Sequence, residues 1–484
     1  MKGFSRGVLV FAVVLALASG TALQAQTGKV ARRVMTDAEF LQFKADVGVA
    51  VPGRNYNVVV DGHGTGLRPP TEAEWEAIRY LPIVAEPASL TLESLPAYWD
   101  NSDTPWFPPI GNQDGEGSCT AWATTYYTKT FQEAKEHGWD LSGALWEGGY
   151  YGYPSAAYQD RIFSPDFIYH LINSGKDFGS WYYNAIKTMQ GLGAASWLEM
   201  PYDPKDSSAW PGEGAWREAP PYRNEAMFTI DIQTDEGLQA LKSLLVGGNL
   251  AIIGVDANYY NTLTPEDLWT TDGYYVLTTN HANTIVGYDD DFGPYTEGGV
   301  EKTGAFKIAN SWGLGSWEGV TSDEYDGFYW MTPDVLKLWI RKAHSYENIE
   351  GYEPRTLAVF EIEHTRRGDC RIDVSIGAEA VKGLNDYVMA GIGYVPFPPN
   401  KIAMDVTEIV PADLAGALRG VLGVLDEGSK FTGTVWHFSV ESYGDYLSGV
   451  PAGVVVSDDT PLVTANGATV TAEVRFPGSF LKDR

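Results

Sequence analysis

Residues 110–127 read IGNQDGEGSCTAWATTYY, and the cysteine among them decides how the rest of the chain is read. Turn-forming residues give way at Ser118 to helical spacing. Trp122 and Tyr126 fall on one face, and Gly138 can close the segment. The pattern predicts a helix over 118–138, with Ser118 as its cap and Cys119 at its start. A helix N-terminus carries partial positive charge and unpaired N–H groups, and both favour thiolate over thiol. The thiolate is the nucleophile, so this placement suits covalent catalysis. Gln113 lies six residues upstream, before a Gly-containing turn. Folded back, its side-chain amide and the backbone N–H of Cys119 would form an oxyanion hole.

A nucleophile needs a base, and the base needs an orienter. NHANTIVGYDD, residues 280–290, places His281 at the entry to a predicted strand. FKIANSWGLGSWEG, residues 306–319, places Asn310 at the exit of another. Two neighbouring strands could bring the side chains together. An amide on the imidazole would fix its tautomer and leave an ion pair with the thiolate open. Helical patterns also cover 163–175 and 181–191. Beyond about residue 225 the texture turns to short strands, in AMFTIDI, LAIIGVD, NTIVGY, AFKIAN and GFYWM.

This region resembles the papain and cathepsin family of cysteine peptidases. NQDGEGSC resembles the family's glutamine-to-cysteine block, NHANTIVGY its histidine strand, and NSWG, Asn310 to Gly313, its most distinctive signature. SLPAYWD, residues 94–100, resembles the start of a mature enzyme. The resemblance covers about residues 93–344 and implies a helical half and a β-barrel-like half around one cleft. It implies Cys119 as nucleophile, His281 as general base and acid, Asn310 as orienter and Gln113 as oxyanion donor. Trp312 would shield the His281–Asn310 pair from water. DFGSWYYNAIK, residues 177–187, resembles the family's substrate-pairing stretch. Gly179 and Ser180 would offer backbone to an extended peptide, and Trp181 and Tyr182 would line the main specificity pocket. No cofactor or metal is implied.

The chain departs from the family in several places. Thr120 follows the nucleophile where an aromatic is usual. Glu116 stands where a structural cysteine is common. With Cys119 and Cys370 as the only cysteines, the family's disulfides are missing. His281 and Asn310 lie 162 and 191 residues beyond Cys119, further than the 130–150 typical of the family. An insert at 289–304, DDDFGPYTEGGVEKTG, would lengthen the stretch between His281 and Asn310. Its Asp289, Asp290 and Asp291 could hold calcium, although a solvated loop is the commoner use of such a run. The other histidines, His364 and His437 among them, have no zinc-like spacing.

Residues 1–25 read as a secretory leader, with Lys2 and Arg6 before an apolar run from Val8 to Ala18 and cleavage expected after Ala22 or Ala25. A secreted (extracellular or periplasmic) protein follows, with no later membrane span. Residues 26–92 read as an N-terminal extension or propeptide with little core of its own. Thr71 and Glu74 have capping-box spacing. This stretch lacks the long helical pattern of the usual inhibitory propeptide, so self-inhibition is a hypothesis at this point. Residues 345–484 alternate in TLAVFEIEHT, CRIDVSIG, GTVWHFSVES and ATVTAEVRF, an all-β pattern read as a jelly-roll-like sandwich. IEHTRRGDCRIDVSIG, residues 362–377, resembles part of the P domains that follow subtilisin-like convertases. Such a module could bind a surface or a polymer.

The expected fold class is therefore α+β, with the all-β unit last. A net charge of −29 argues against nucleic acid or an anionic membrane as partner. The expected function is peptide hydrolysis by a monomer acting on peptide or protein substrates. A catalytically dead scaffold used for binding, or a peptide ligase using the same residues, are the alternatives.

Overall fold

A computed structural model describes residues 32–84, 95–276, 278–315, 326–377, 380–428 and 430–481. The leader expected at 1–25 and the Trp317–Gly319 part of the NSWG region lie outside the described residues. The architecture is mixed α+β.

The helix that begins at Cys119 runs unbroken to His137, with a wider-turned stretch at Trp122–Lys129. Gly138 ends it in the left-handed conformation, its N–H reaching the carbonyls of Ala134 and Lys135. Every side chain from Cys119 to Ala134 is buried, so this helix is the axis of the unit rather than a surface element. Lys129 is buried with the rest. Its Nζ lies 2.6 Å from Glu133 Oε1 and donates to Asn348 Oδ1 at 2.9 Å. Ser118 does not act as the expected cap. Its φ of −98° and ψ of 10° lie outside the extended region that aims a capping oxygen into the first turn. Its hydroxyl instead meets the Tyr202 hydroxyl at 2.8 Å.

Pro165–Ile172 and Tyr182–Leu192 form the other two expected helices and pack on the first. Ser164 caps the former, accepting from the Phe167 amide, with Pro165 at the position where a missing N–H costs nothing. Against these helices lies a ten-stranded sheet. Its centre is the strand His281–Asp289, buried over its first eight residues. Ala251–Val255 flanks it on one side and Ala305–Ala309 on the other. Ala309 stands opposite Thr284, so Asn310, the next residue, emerges beside the start of the histidine strand.

The N-terminal extension has more core than expected. Phe40, Phe43, Trp75, Ile78 and Ile83 are all buried. Both phenylalanines meet Trp75 edge-on, with centroids 5.7 and 5.2 Å apart. Turns and prolines separate these aromatics in sequence and hide the pattern. The Thr71 capping box forms as expected. The Glu74 carboxylate that completes it also takes Arg68 Nη1 at 2.6 Å. Arg32–Val34 and Pro82–Val84 pair with each other, and the second runs parallel to Phe228–Ile230, so both belong to the main sheet.

Residues 356–477 form two antiparallel sheets. One orders Ile402–Asp405, Thr356–Glu363, Thr434–Ser442 and Gly453–Val456, with Leu462–Val463 also on the third. The other orders Val381–Gly383, Cys370–Ile376, Ala417–Asp426 and Ala468–Pro477. Phe360, Phe438 and Val440 of the first share an apolar core with Ile372, Leu422 and Val474 of the second. Polar ties join this unit to the helices. Arg223 Nη1 meets Asp405 Oδ2 at 3.0 Å and Glu408 Oε2 at 3.1 Å. Lys382 Nζ donates to Gly191 O at 2.8 Å. Arg367, fully buried, lies over the Trp210 ring at 4.3 Å.

In the 289–304 insert, Asp290 pairs with Lys242, and Tyr295–Glu297 pairs with Val300–Lys302 as a hairpin.

Candidate active site

The helix start brings the Cys119 sulfur to the backbone amide of Ala282, the second residue of the histidine strand. Burial pushes the Cys119 thiol up to about 12, against the backbone amides of Ala282, Thr120 and Leu67, which pull it down. Ala282 directly follows His281. The imidazole Nε2 of His281 sits 2.8 Å from Asn310 Oδ1. The same oxygen accepts from Asn283 Nδ2 at 2.9 Å and from the Ser311 amide at 2.8 Å. Three N–H groups converging on one amide oxygen lock the asparagine flip. Because that oxygen can only accept, Nε2 carries the proton. Nδ1 is then the basic nitrogen, and it is buried without a hydrogen-bond partner among the described residues. Burial also holds His281 down at about 3, the Asn310 contact opposing it. Burial thus favours the neutral thiol and the neutral imidazole in this closed arrangement.

Trp312 packs on the imidazole, its ring 4.9 Å from that of His281. Gln113 is fixed at both ends of its side chain. Its Oε1 accepts from Ser311 Oγ at 2.6 Å, and its Nε2 donates to Glu116 O at 2.8 Å and Gly64 O at 2.9 Å.

Gly64 belongs to the N-terminal extension, and the chain from Tyr56 to Arg68 crosses the whole site. The Tyr56 amide donates to Phe178 O at 3.1 Å. Asn57 Nδ2 reaches Gly115 O and Asp177 Oδ2. His63 stacks on Trp312 at 4.9 Å. Leu67 pairs in parallel with Ser180: Ser180 N–H donates to Gly66 O at 2.8 Å, and Arg68 N–H to Ser180 O at 3.0 Å. The Leu67 amide donates to Asn280 O at 2.9 Å. Glycines permit this approach. A Cβ on Gly66, whose φ is +102°, would lie 2.0 Å from Gly117 O, and one on Gly179 would lie 2.1 Å from Gly66 O.

A cavity of about 380 Å³ opens beside this crossing, lined by Leu67, Trp181, Tyr182, Gly254, Asn280 and His344 among others. Burial holds His344 down at about 3. All nine residues singled out from the sequence therefore gather here: Cys119, His281, Asn310, Gln113, Gly179, Ser180, Trp181, Tyr182 and Trp312. Sequence reasoning missed the occupant, residues 56–68. The one available signal was the glycine spacing of GHGTG, residues 62–66.

A second cluster also escaped the sequence. Glu116, Asp166 and His170 are buried together, with ligand-type atoms within 4.8 Å of one another. Asp166 and His170 are four apart on one helix, which is the only part of the set legible in sequence.

No protein-family model and no curated protein sequence matches the chain. Solved structures do. Xylellain, a cysteine protease from Xylella fastidiosa, is 18% identical over 62% of this chain and 100% of that one, with a TM-score of 0.43. Digestive procathepsin L 3 of the Tenebrio molitor larval midgut is 14% identical over 54% and 73%, at 0.37. A recombinant stem bromelain precursor is 15% identical over 54% and 74%, at 0.38.

Proposed function

We propose that this chain is a papain-like cysteine peptidase held latent by its own residues 56–68. The observation that carries the reading is His281. Its Nε2 is spent on Asn310, its Nδ1 is unpartnered among the described residues, and the Cys119 sulfur meets the amide of the very next residue. Asn310 thereby selects the tautomer in which Nδ1 can take the thiol proton.

The crossing segment excludes water as well as substrate. Desolvation opposes both members of a thiolate–imidazolium pair. While the segment is in place, that pair is therefore disfavoured. Its departure returns solvent to the site, and the proton can pass from Sγ to Nδ1. A peptide would then take the contacts vacated by Gly66, Leu67 and Arg68 on Ser180 and Asn280. Sγ attacks the scissile carbonyl. The oxyanion forms where Gly64 O now accepts from Gln113 Nε2, aided by the Cys119 N–H. His281 protonates the leaving amine, then activates the water that releases the acyl group. The Leu67 side chain, buried beside the cavity, supports an apolar residue at the corresponding substrate position.

In this reading residues 93–344 make the two halves around the cleft and residues 345–484 a β-sandwich, with a surface or polymer as its candidate ligand. The leader-like residues 1–25 support export, and the protein acts as a monomer. The test is incubation of the purified chain with a peptide library before and after limited proteolysis of the crossing segment, with iodoacetamide as blocker. Cleavage only after opening, lost on alkylation at Cys119, is expected. A Cys119→Ala protein that still cleaves would sink the proposal.

A further inference from the structure

The second cluster lies under the turn that carries Gln113 and Cys119. His170 Nδ1 is 2.8 Å from the carbonyl of Ala209, an oxygen that can only accept, so Nδ1 holds a proton. Nε2 then faces two carboxylates, 3.3 Å from Glu116 Oε1 and 3.5 Å from Asp166 Oδ1. A charge-assisted N–H···O bond in a dry site would be shorter, about 2.7–2.9 Å. The two nitrogen-to-oxygen separations are those of neighbouring ligands on one ion. Bonds of about 2.0–2.1 Å in a tetrahedron place ligand atoms roughly 3.3–3.4 Å apart.

One further observation points to the gap between these groups. Asp166 Oδ1, the oxygen that faces His170 Nε2, is buried and has no hydrogen-bond partner among the described residues, and the Glu116 and Asp166 side chains are both nearly inaccessible. The supporting contacts are those a ligand set needs. The Ala209 carbonyl orients the imidazole, and the Asp203 amide holds Asp166 Oδ2 at 2.6 Å. Among the described residues no lysine or arginine forms an ion pair with either acid. Burial pushes both carboxyls well above their usual range, which is the cost a bound cation would remove.

We infer that Glu116, Asp166 and His170 form a structural site for one divalent transition ion, with zinc the best fit to the nitrogen-plus-carboxylate set and its spacing. The ion joins the turn before Cys119 to the helix Pro165–Ile172. It fixes the backbone that positions Gln113 without touching substrate. The inference stands apart from the peptidase reading, since it concerns metal content and not turnover.

The test uses the full chain, stripped with a chelator, desalted and titrated with zinc sulfate. One equivalent retained after gel filtration, measured by mass spectrometry of the metal, is expected, with a rise in unfolding temperature. Cobalt in its place should give the visible absorption of a tetrahedral site. Glu116→Gln and Asp166→Asn keep side-chain size and should each lower retained zinc at least tenfold, whereas Asp203→Asn should not. Stripped wild-type protein that is folded by circular dichroism yet retains no zinc and shows no thermal shift would overturn the site. So would variants that retain a full equivalent. Either result would assign the gap to a proton.

Discussion

The side-chain amide of Gln113 donates to the backbone carbonyl of Gly64 at 2.9 Å. A carbonyl of the chain itself thus occupies the place assigned above to the oxyanion. Once the crossing segment has been removed, Gln113→Ala should lower kcat roughly 100- to 1000-fold, the usual loss of one preorganised donor. KM should change little. Steady-state kinetics on the opened protein checks this, and an unchanged kcat would place the oxyanion elsewhere.

Gly66 and Gly179 touch backbone to backbone. Gly66→Ala adds a Cβ at 2.0 Å from Gly117 O in a left-handed conformation. Strain of about 1–3 kcal/mol falls on the closed arrangement, in which the crossing segment lies against Gly117, and is relieved on opening. The open fraction should rise roughly tenfold to hundredfold, read as the rate of Cys119 alkylation by iodoacetamide. Equal rates for wild type and variant would show that this contact does not hold the segment down.

Acid should open the site. Burial is the largest cause lowering His63, His281 and His344, opposed at His63 by Asp61 and Asp114 and reinforced at His344 by Lys342. Opening returns these imidazoles to water and toward about 6.5. The open state then binds protons that the closed state refuses, so closure is favoured above about pH 6.5 and weakens as pH falls toward 3. His281 and His344 can each contribute up to about a hundredfold at two units below the open value, and His63 adds in the same direction. Deuterium uptake at residues 62–68, corrected for intrinsic exchange, should be faster at pH 4.5 than at pH 7.5. In the metal-free chain Glu116 and Asp166, raised by burial, have the opposite sign: their protonated forms favour the fold at low pH, and that contribution fades as pH rises. A flat profile at 62–68 would remove the histidines from the control of opening.

Arg223 ties the two units together. Arg223→Ala leaves Asp405, which is fully buried, without its cation. The expected loss is about 3 kcal/mol. Calorimetry should show the transition of residues 356–477 separating from that of the helices and moving to lower temperature. A single unshifted transition would argue that the apolar contacts alone couple the units.

The cysteine, histidine, asparagine and glutamine were legible because each sits at a helix start, a strand end or a turn, and those positions leave marks in sequence. The wider-turned stretch at Trp122–Lys129 left none, since its residues suit an ordinary helix equally well. The pairing of Leu67 with Ser180 was not legible either. It is made by backbone groups, which every residue carries, and glycine spacing announces a close approach without naming the partner. Glu116 could be seen as an oddity, but its partners lie 50 and 54 residues away on a helix whose other residues are apolar.

The crossing segment is anchored on both sides, by the strands Arg32–Val34 and Pro82–Val84 that it links within one sheet. It behaves as a tethered ligand whose effective concentration is set by the sheet and not by the solution. A single cut between Pro82–Val84 and Tyr98–Asp100 leaves both anchors in place, and the segment can return as often as it leaves. Lasting release requires loss of the anchoring strands, or a second cut within the crossing itself. Between those events the protein is a reversible switch, and a small substrate has to compete with a neighbour that never diffuses away.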